Sequence, residues 1–457
     1  MSQQSYIKKN LSLAWPLALN GLLMQSMLMI DTLLISPLGE LPLAAMGIST
    51  AIIAAILGIQ MALANGTQLV LSRAVGSGNS ASLSRAFVSG LIINTTISVM
   101  FWVILTCFDQ TLIHAITSDI TLHKEITNYL DIAKYIVIFT ALTQVIIALF
   151  NSLGKTQVPF KGYLIELPIN ALLSYLFIHG YQFTNTLSLE GMGVQGAAIG
   201  SLMAITVRLI YLTLYMYLSK EITITLPVKD VSMIRNIRLH FIEIFPVAAN
   251  VMVLAMGITV YQLLYSQLEI NAYVAITLMM PWIRAGTQFI AAWSHSTAIT
   301  VSQAIGSGKM DDLAKNVDKS IDIAVLISIL CAVFFAGISL FIANIYPDLD
   351  AETYQALSII APLYIFLPIV RGYNTVHGNV LRALGKTTAV FKINFTGQWI
   401  ISIPLCALII FMFDASIFWA FAIQPFEEIV KAIPFRQLAR KSLEEFDLEK
   451  AKNLNHD

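Results

Sequence analysis

Asp31 is the only charged residue in an apolar run from 11 to 36. Placing a carboxylate that deep in a bilayer costs at least ~2.5–3.5 kcal/mol on insertion scales, so such a residue marks a functional site by default. Its helical stripe consists of Asn20, Met24, Met27 and Asp31, two polar groups and two adaptable thioethers. That mixture suits a face turned to a cleft better than one turned to lipid. The plainer reading is an interfacial Asp that snorkels to the outer surface near Ser36 and Pro37. On the functional reading the chemistry is cation handling. A buried carboxyl can carry a proton, or serve as one oxygen ligand of a sodium ion.

The other apolar runs carry polar groups as well. Asn65, in Ala-Asn-Gly-Thr, is a weaker candidate for a cleft. Arg284 and Arg371 lie within runs of the second half, with Glu243 near the start of another. Arg371 reads as the partner of an inward-facing acid or of helix-end carbonyls; the sharper reading is contact with an anionic part of a ligand. Glu166 is expected to pair with a cytoplasmic Lys or Arg, and Asp131 with Lys134. Glu427 and Glu428, followed by Lys431 and Arg436, read as a helix end at the cytoplasmic surface. His295 and His377 are isolated, and each reads as a packed polar residue rather than a proton relay. Cys107, Cys331 and Cys406 read as small apolar packing residues, neither disulfide-paired nor metal-binding.

The elements that carry these groups follow from composition. Of 457 residues, 57% are hydrophobic and 12% charged, against roughly a quarter charged in soluble domains. Runs long enough to cross a bilayer, about 20 residues each, recur twelve times between 11–36 and 414–433. Little chain is left for a soluble domain, which argues against a receptor or an anchored multidomain enzyme. The first run is too long for a cleavable signal, and no small-residue cleavage site follows it. Lys and Arg fall in the amino terminus and in every second connection: Arg73 and Arg85, Lys155 and Lys161, the stretch from Lys220 to Arg238, Lys309 to Lys319, Arg382 to Lys392, and the tail with Lys450 and Lys452. The alternate connections hold almost none, Lys124 being the exception, and carry Glu40, Asp119, Glu269, Asp348, Asp350 and Asp414 instead. This asymmetry places both termini in the cytoplasm and makes the number of spans even. Nothing suggests nucleic-acid binding.

Aligned on itself, the chain repeats at a spacing of about 230 residues. Leu71–Ser80 (LSRAVGSGNS) matches Val301–Met310 (VSQAIGSGKM), Leu153–Thr156 and Leu384–Thr387 both read LGKT, and Trp15-Pro16 matches Phe245-Pro246. Six spans per repeat require the second copy to enter from the same side as the first. The fold class is therefore an all-α polytopic membrane protein with twelve transmembrane helices, in two parallel six-helix repeats around a central cleft. The expected division is a lobe over 1–218, a cytoplasmic linker over 219–237 with Lys220-Glu221 and Lys229-Asp230, a second lobe over 238–433, and a cytoplasmic tail over 434–457. The Gly-Ser-Gly segments end one long helix and allow the next to begin. Neither forms a phosphate-cradling loop, since no strand precedes it and no Lys-Ser/Thr closes it. Transport energy is thus expected from an ion gradient.

Over essentially its whole length the chain resembles the multidrug and toxic compound extrusion family. The resemblance is carried by Pro16 with Asp31 on the first span, the Gly-Ser-Gly loops, Asn151-Ser-Leu-Gly-Lys-Thr, the glycine-rich stretch from Gly191 to Ser201, and Leu381-Arg-Ala-Leu-Gly-Lys-Thr387. It implies an antiporter that expels amphipathic, often cationic, compounds in exchange for H⁺ or Na⁺ by alternating access. It also implies Asn170, Ser174 and Ser201 as the partners of Asp31. Asn170 and Ser174 share a helix face by spacing, though such residues also glue membrane helices together. Where one branch has an acid four positions after the asparagine, this chain has Ser174. Where the sodium-linked branch has second-lobe acids, it has Leu254 and Arg371, so that second acidic site is expected to be missing.

The leading expectation is therefore a multi-pass exporter in the inner (plasma) membrane, monomeric and without cofactor, with H⁺ as the coupling ion held by Asp31, Asn170, Ser174 and Ser201. Asn20, Met24, Met27, Asn65, Tyr261, Arg284 and Arg371 are the candidates for the substrate cleft. Tyr261 stands in the second copy where the first has Asp31. Alternatives are sodium-coupled antiport and a flippase for lipid-linked sugars. No catalytic constellation is evident within the spans, which argues against an enzyme.

Overall fold

The computed structural model describes residues 3–116, 119–182, 188–219, 233–308, 312–347, 349–413 and 416–446. The linker charges Lys220, Glu221, Lys229 and Asp230, the loop residues Lys309, Asp348 and Asp414, and Lys450 and Lys452 of the tail lie outside the described residues.

The first half runs α1 (Gln3–Ile35), α2 (Glu40–Ser77), α3 (Ser80–Cys107), the short α4 (Asp109–Ile116), α5 (Ile120–Ser152), α6 (Gln157–His179), a two-strand hairpin of β1 (Gly180–Gln182) and β2 (Ser188–Glu190), and α7 (Gly193–Leu218). The second half runs α8 (Met233–Tyr265), α9 (Ile270–Gly306), α10 (Leu313–Leu340), the single turn α11 (Ile342–Ile345), α12 (Ala351–Ala383), α13 (Thr387–Phe395), α14 (Ile403–Phe411) and α15 (Ile417–Glu444). A π-helical stretch, Thr396–Ser402, joins α13 to α14 into one span. Among the described residues nine helical segments are long and apolar enough to cross a membrane. Helices α6, α9 and α15 have spanning length at 23, 37 and 28 residues, but they are less apolar. They carry Glu166, Arg284 and the set Glu427, Glu428 and Lys431. With them the long helical segments number twelve, as the sequence predicts. Helix α15 continues past 433 to Glu444, with Phe435 and Ala439 buried, so the start of the expected tail is packed helix.

The turns of the two repeats are built alike. Gly78 (φ +69°) follows α2 and Gly308 (φ +67°) follows α9. Asn79 then caps α3, accepting from the Ala81 and Ser82 amides at 3.0 and 3.3 Å. In the LGKT turns Gly154 and Gly385 take φ +78° and +76°, a left-handed conformation that favours glycine. The Lys155 amide reaches the Phe150 carbonyl and the Lys386 amide the Leu381 carbonyl, both at 2.8 Å. These are the six-to-one bonds of a Schellman helix end.

By packing, the chain forms two compact units whose boundaries fall inside helices. One contains Leu19–Ala248, the other Met1–Ala18 with Ala249–Asp457. Each break lies two residues after a proline, Pro16 in α1 and Pro246 in α8, where the helix ladder loses a donor. The first unit has a core of residues such as Ile35, Ile53, Leu130, Val137 and Val194. It also holds the start of α8, where His240 Nε2 lies 3.2 Å from the Thr67 hydroxyl. Glu243 pairs there with Arg73, which is 1% exposed and belongs to α2 rather than to a basic connection. The other unit has a core around Tyr265, Met279, Phe335, Tyr364 and Phe421. It holds the start of α1 through Tyr6 with Ser320 (3.0 Å), Lys9 with Gln303 (2.7 Å) and Asn10 with Thr300 (2.9 Å).

Candidate functional site

In the Leu19–Ala248 unit, α6 and α7 lie backbone against backbone. A Cβ on Gly200 would sit 2.6 Å from the Ser174 amide nitrogen, too close for any side chain. That approach brings Ser201 of α7 beside Asn170 and Ser174 of α6. Asp31 of α1 is 6% exposed and faces all three. The Ser201 hydroxyl donates to Asp31 Oδ2 at 3.0 Å and accepts from Asn170 Nδ2 at 3.0 Å. Asp31 is therefore not an interfacial residue snorkelling to the surface. Asp31 Oδ1, Asn170 Oδ1 and Ser174 Oγ are buried and make no close hydrogen bond among the described residues. Tyr129 of α5 is buried within electrostatic reach of Asp31. Sequence reasoning did not find it, since nothing in its apolar run separates it from a packing tyrosine.

The rest of the predicted stripe is only partly joined to this set. Met24 accepts a bond from the Tyr163 hydroxyl at 3.4 Å. Asn20 is buried with its Oδ1 unpartnered, and Met27 and Asn65 are partly buried. Glu166 does pair with a cation, but the partner is Arg208 within α7 at 2.5 Å, not one in a cytoplasmic connection. Both are buried, and the Arg208 guanidinium stacks 4.2 Å from the Tyr163 ring centroid. Asp131 and Lys134 pair as expected at 3.0 Å. Cys331 and Cys406 are buried and free, while Cys107 is exposed at the end of α3 and is not a packing residue.

The second unit departs most from the sequence reading. Glu427, Glu428 and Lys431 are not a surface helix end. They are 5%, 7% and 5% exposed and line a cavity of about 420 Å³. Lys431 Nζ lies 2.9 Å from Glu427 and 3.4 Å from Glu428. Tyr261 donates to Glu427 at 2.6 Å, Asn374 to Glu428 at 2.8 Å, and Arg371 to Glu428 at 3.2 Å. Arg371 thus has the inward-facing acid expected of it. Leu254 and Arg371 line the same cavity, so acids are absent at those two positions, yet α15 supplies a pair from another direction. Their spacing with Lys431 and Arg436 matched a solvated helix end, and that masked them. Arg284 also lines the cavity and is exposed.

The MatE family model matches residues 16–176 and again 246–408, one match to each repeat. The chain belongs to the MatE family. Curated relatives are named multidrug resistance proteins, not enzymes. MdtK of Yersinia enterocolitica is 24% identical over 425 residues, with 88% of each chain covered. A probable multidrug resistance protein of Bacillus subtilis, YpnP, is 22% identical over 420 residues, with 89% of each covered. Among solved structures, the Vibrio cholerae MATE transporter VcmN in its bent form superposes with a TM-score of 0.86 at 19% identity, covering 97% of this chain and 98% of that one. The eukaryotic MATE transporter AtDTX14 gives 0.82 at 15% identity, covering 100% and 99%. The two-lobed MatE membrane fold is therefore the fold of this chain.

Proposed function

We propose that this MatE protein is a secondary-active antiporter that exports amphipathic, often cationic, organic compounds in exchange for H⁺. Asp31 would carry the proton, and Asn170, Ser174 and Ser201 would position it. The reading adds a monomer in the plasma membrane with both termini in the cytoplasm, in line with the charge asymmetry of the connections.

The observation that supports the assignment is one buried carboxyl set among the neutral side chains of Asn170, Ser174 and Ser201, with Asp31 Oδ1 making no close hydrogen bond among the described residues. Buried polar atoms left unpaired are costly. A proton on Asp31 Oδ1 would let it donate to the Asn170 carbonyl oxygen and would remove the buried charge. Sodium would need several oxygen ligands with enough negative charge to offset its desolvation. Here the ligands beside Asp31 are neutral, and the nearby Glu166 is committed to Arg208. Losing the proton would recharge Asp31 and favour a different packing of α1, with Pro16 as the weak point for bending.

The test is drug efflux from vesicles at a fixed pH gradient, with sodium replaced by choline. Efflux should continue unchanged. Collapse without sodium, or export driven by a sodium gradient alone, would make Asp31 a sodium ligand instead.

A further inference from the structure

The cavity enclosed by α8, α9, α12, the α13–α14 span and α15 carries more positive than negative charge. Arg284, Arg371, Arg382 and Lys431 line it against two carboxylates, Glu427 and Glu428. Those carboxylates are already committed to Lys431, Arg371 and Tyr261. Arg382 donates to the neutral Asn379 at 3.1 Å and has no carboxylate partner among the described residues. Arg284 has no side-chain partner among the described residues and is exposed. Three further lining residues, Asn250, Asn374 and Gln398, are nine-tenths or more buried, and each keeps a polar atom unpartnered: Asn250 Nδ2, Asn374 Oδ1 and Gln398 Oε1. Val251, Leu254, Ile258, Met280, Ile283 and Phe435 give the remaining wall an apolar character. An excess of guanidinium groups on a partly apolar cavity within a membrane-spanning bundle is expensive unless an anion offsets it. Guanidinium groups also match the geometry of carboxylate, sulfonate and phosphate oxygens.

We infer that this cavity is a second ligand site. It receives the anionic group of an organic anion or zwitterion on Arg284 and Arg371, with the apolar body against Leu254, Ile258 and Met280. Asn250 Nδ2 is placed to donate to that anion, while Asn374 and Gln398 offer acceptors to hydroxyl or ammonium groups on the same ligand. The site widens the compounds handled beyond amphipathic cations. Its use in transport rests on the export reading; its binding chemistry does not.

The experiment is an equilibrium titration of the full chain in phosphatidylcholine nanodiscs, corrected for empty discs. The probes are anilinonaphthalene sulfonate and phenylnaphthylamine, which differ by the sulfonate. The sulfonate dye should bind the protein more tightly, and Arg284→Gln should weaken it about tenfold, the loss expected for one charge-assisted bond, while leaving the neutral dye unchanged. Because Arg284 is exposed and unpaired, the substitution should not disturb folding, and Arg284→Lys should recover part of the affinity. Phosphatidylglycerol in the discs separates two sources of the anion. Competition that vanishes in Arg284→Gln assigns the site to a lipid headgroup, and no competition assigns it to free compounds; both keep the anion site. Equal binding of the two dyes, or equal weakening of both by Arg284→Gln, would overturn it. No gradient is applied, so failure of export would count against the antiport reading and leave this result standing.

Discussion

Gly154 and Gly385 close matching turns 231 residues apart, but the helices around those turns enclose interiors of different chemistry. Around Asp31 the partners are neutral: Asn170, Ser174 and Ser201, with oxygens left unpaired. In the other unit the equivalent position is Tyr261, and it serves a network of fixed charges on α12 and α15. A neutral cage leaves the charge of its single carboxyl free to change. A network in which every carboxylate already holds a cation resists such a change, because removing either partner strands the other in low dielectric. Duplication therefore preserved the scaffold, while the two interiors diverged in what they hold.

Breaking each interior in turn should give opposite signatures. The largest effect is expected from Asp31→Asn: gradient-driven export falls to background while yield and thermal unfolding match the parent, since a lone buried charge has been removed. A variant that still protects cells from toxic dyes would release Asp31 from the coupling role. Next comes Lys431→Met. It leaves Glu427 buried without a cation, while Glu428 keeps Arg371 and Asn374, and should destabilise the protein by about 3–5 kcal/mol, read as a lowered melting temperature in detergent. The double variant that adds Glu427→Gln, leaving the Arg371–Glu428 pair intact, should regain most of that loss; a single variant that melts like the parent would mean the network is not structural. The smallest effect should come from Ser201→Ala, which deletes one bond to Asp31, worth about 1 kcal/mol, and should slow initial efflux about fivefold. A loss as complete as that of Asp31→Asn would give Ser201 more than a positioning role.

The helices, their number and the repeated turns were legible because apolar length and glycine position act locally. Asp31 was legible for the same reason, as a single charge in an apolar run. Its partners were reached only through the family resemblance, because they lie 139 to 170 residues away and meet through the close approach at Gly200. The Glu427–Glu428–Lys431 set was misread because i,i+3 and i,i+4 charge spacing looks the same on a solvated helix and a buried one. What distinguishes the two is the covering provided by α8 and α12, which no local pattern encodes. Arg73 and Arg208 were missed in the same way, each buried against an acid brought from another helix.

The assignment of Met1–Ala18 to the same unit as Ala249–Asp457 has a consequence for biosynthesis. Lys9 leaves the ribosome well ahead of its partner Gln303, which emerges 294 residues later. At about 5–20 residues per second, the first helix waits on the order of 15–60 s before its opening turns can find their packing surface. During that interval its polar residues Asn10 and Lys9 face the membrane environment without their native contacts. A ribosome stalled before residue 290 would thus present α1 with its opening turns unpacked.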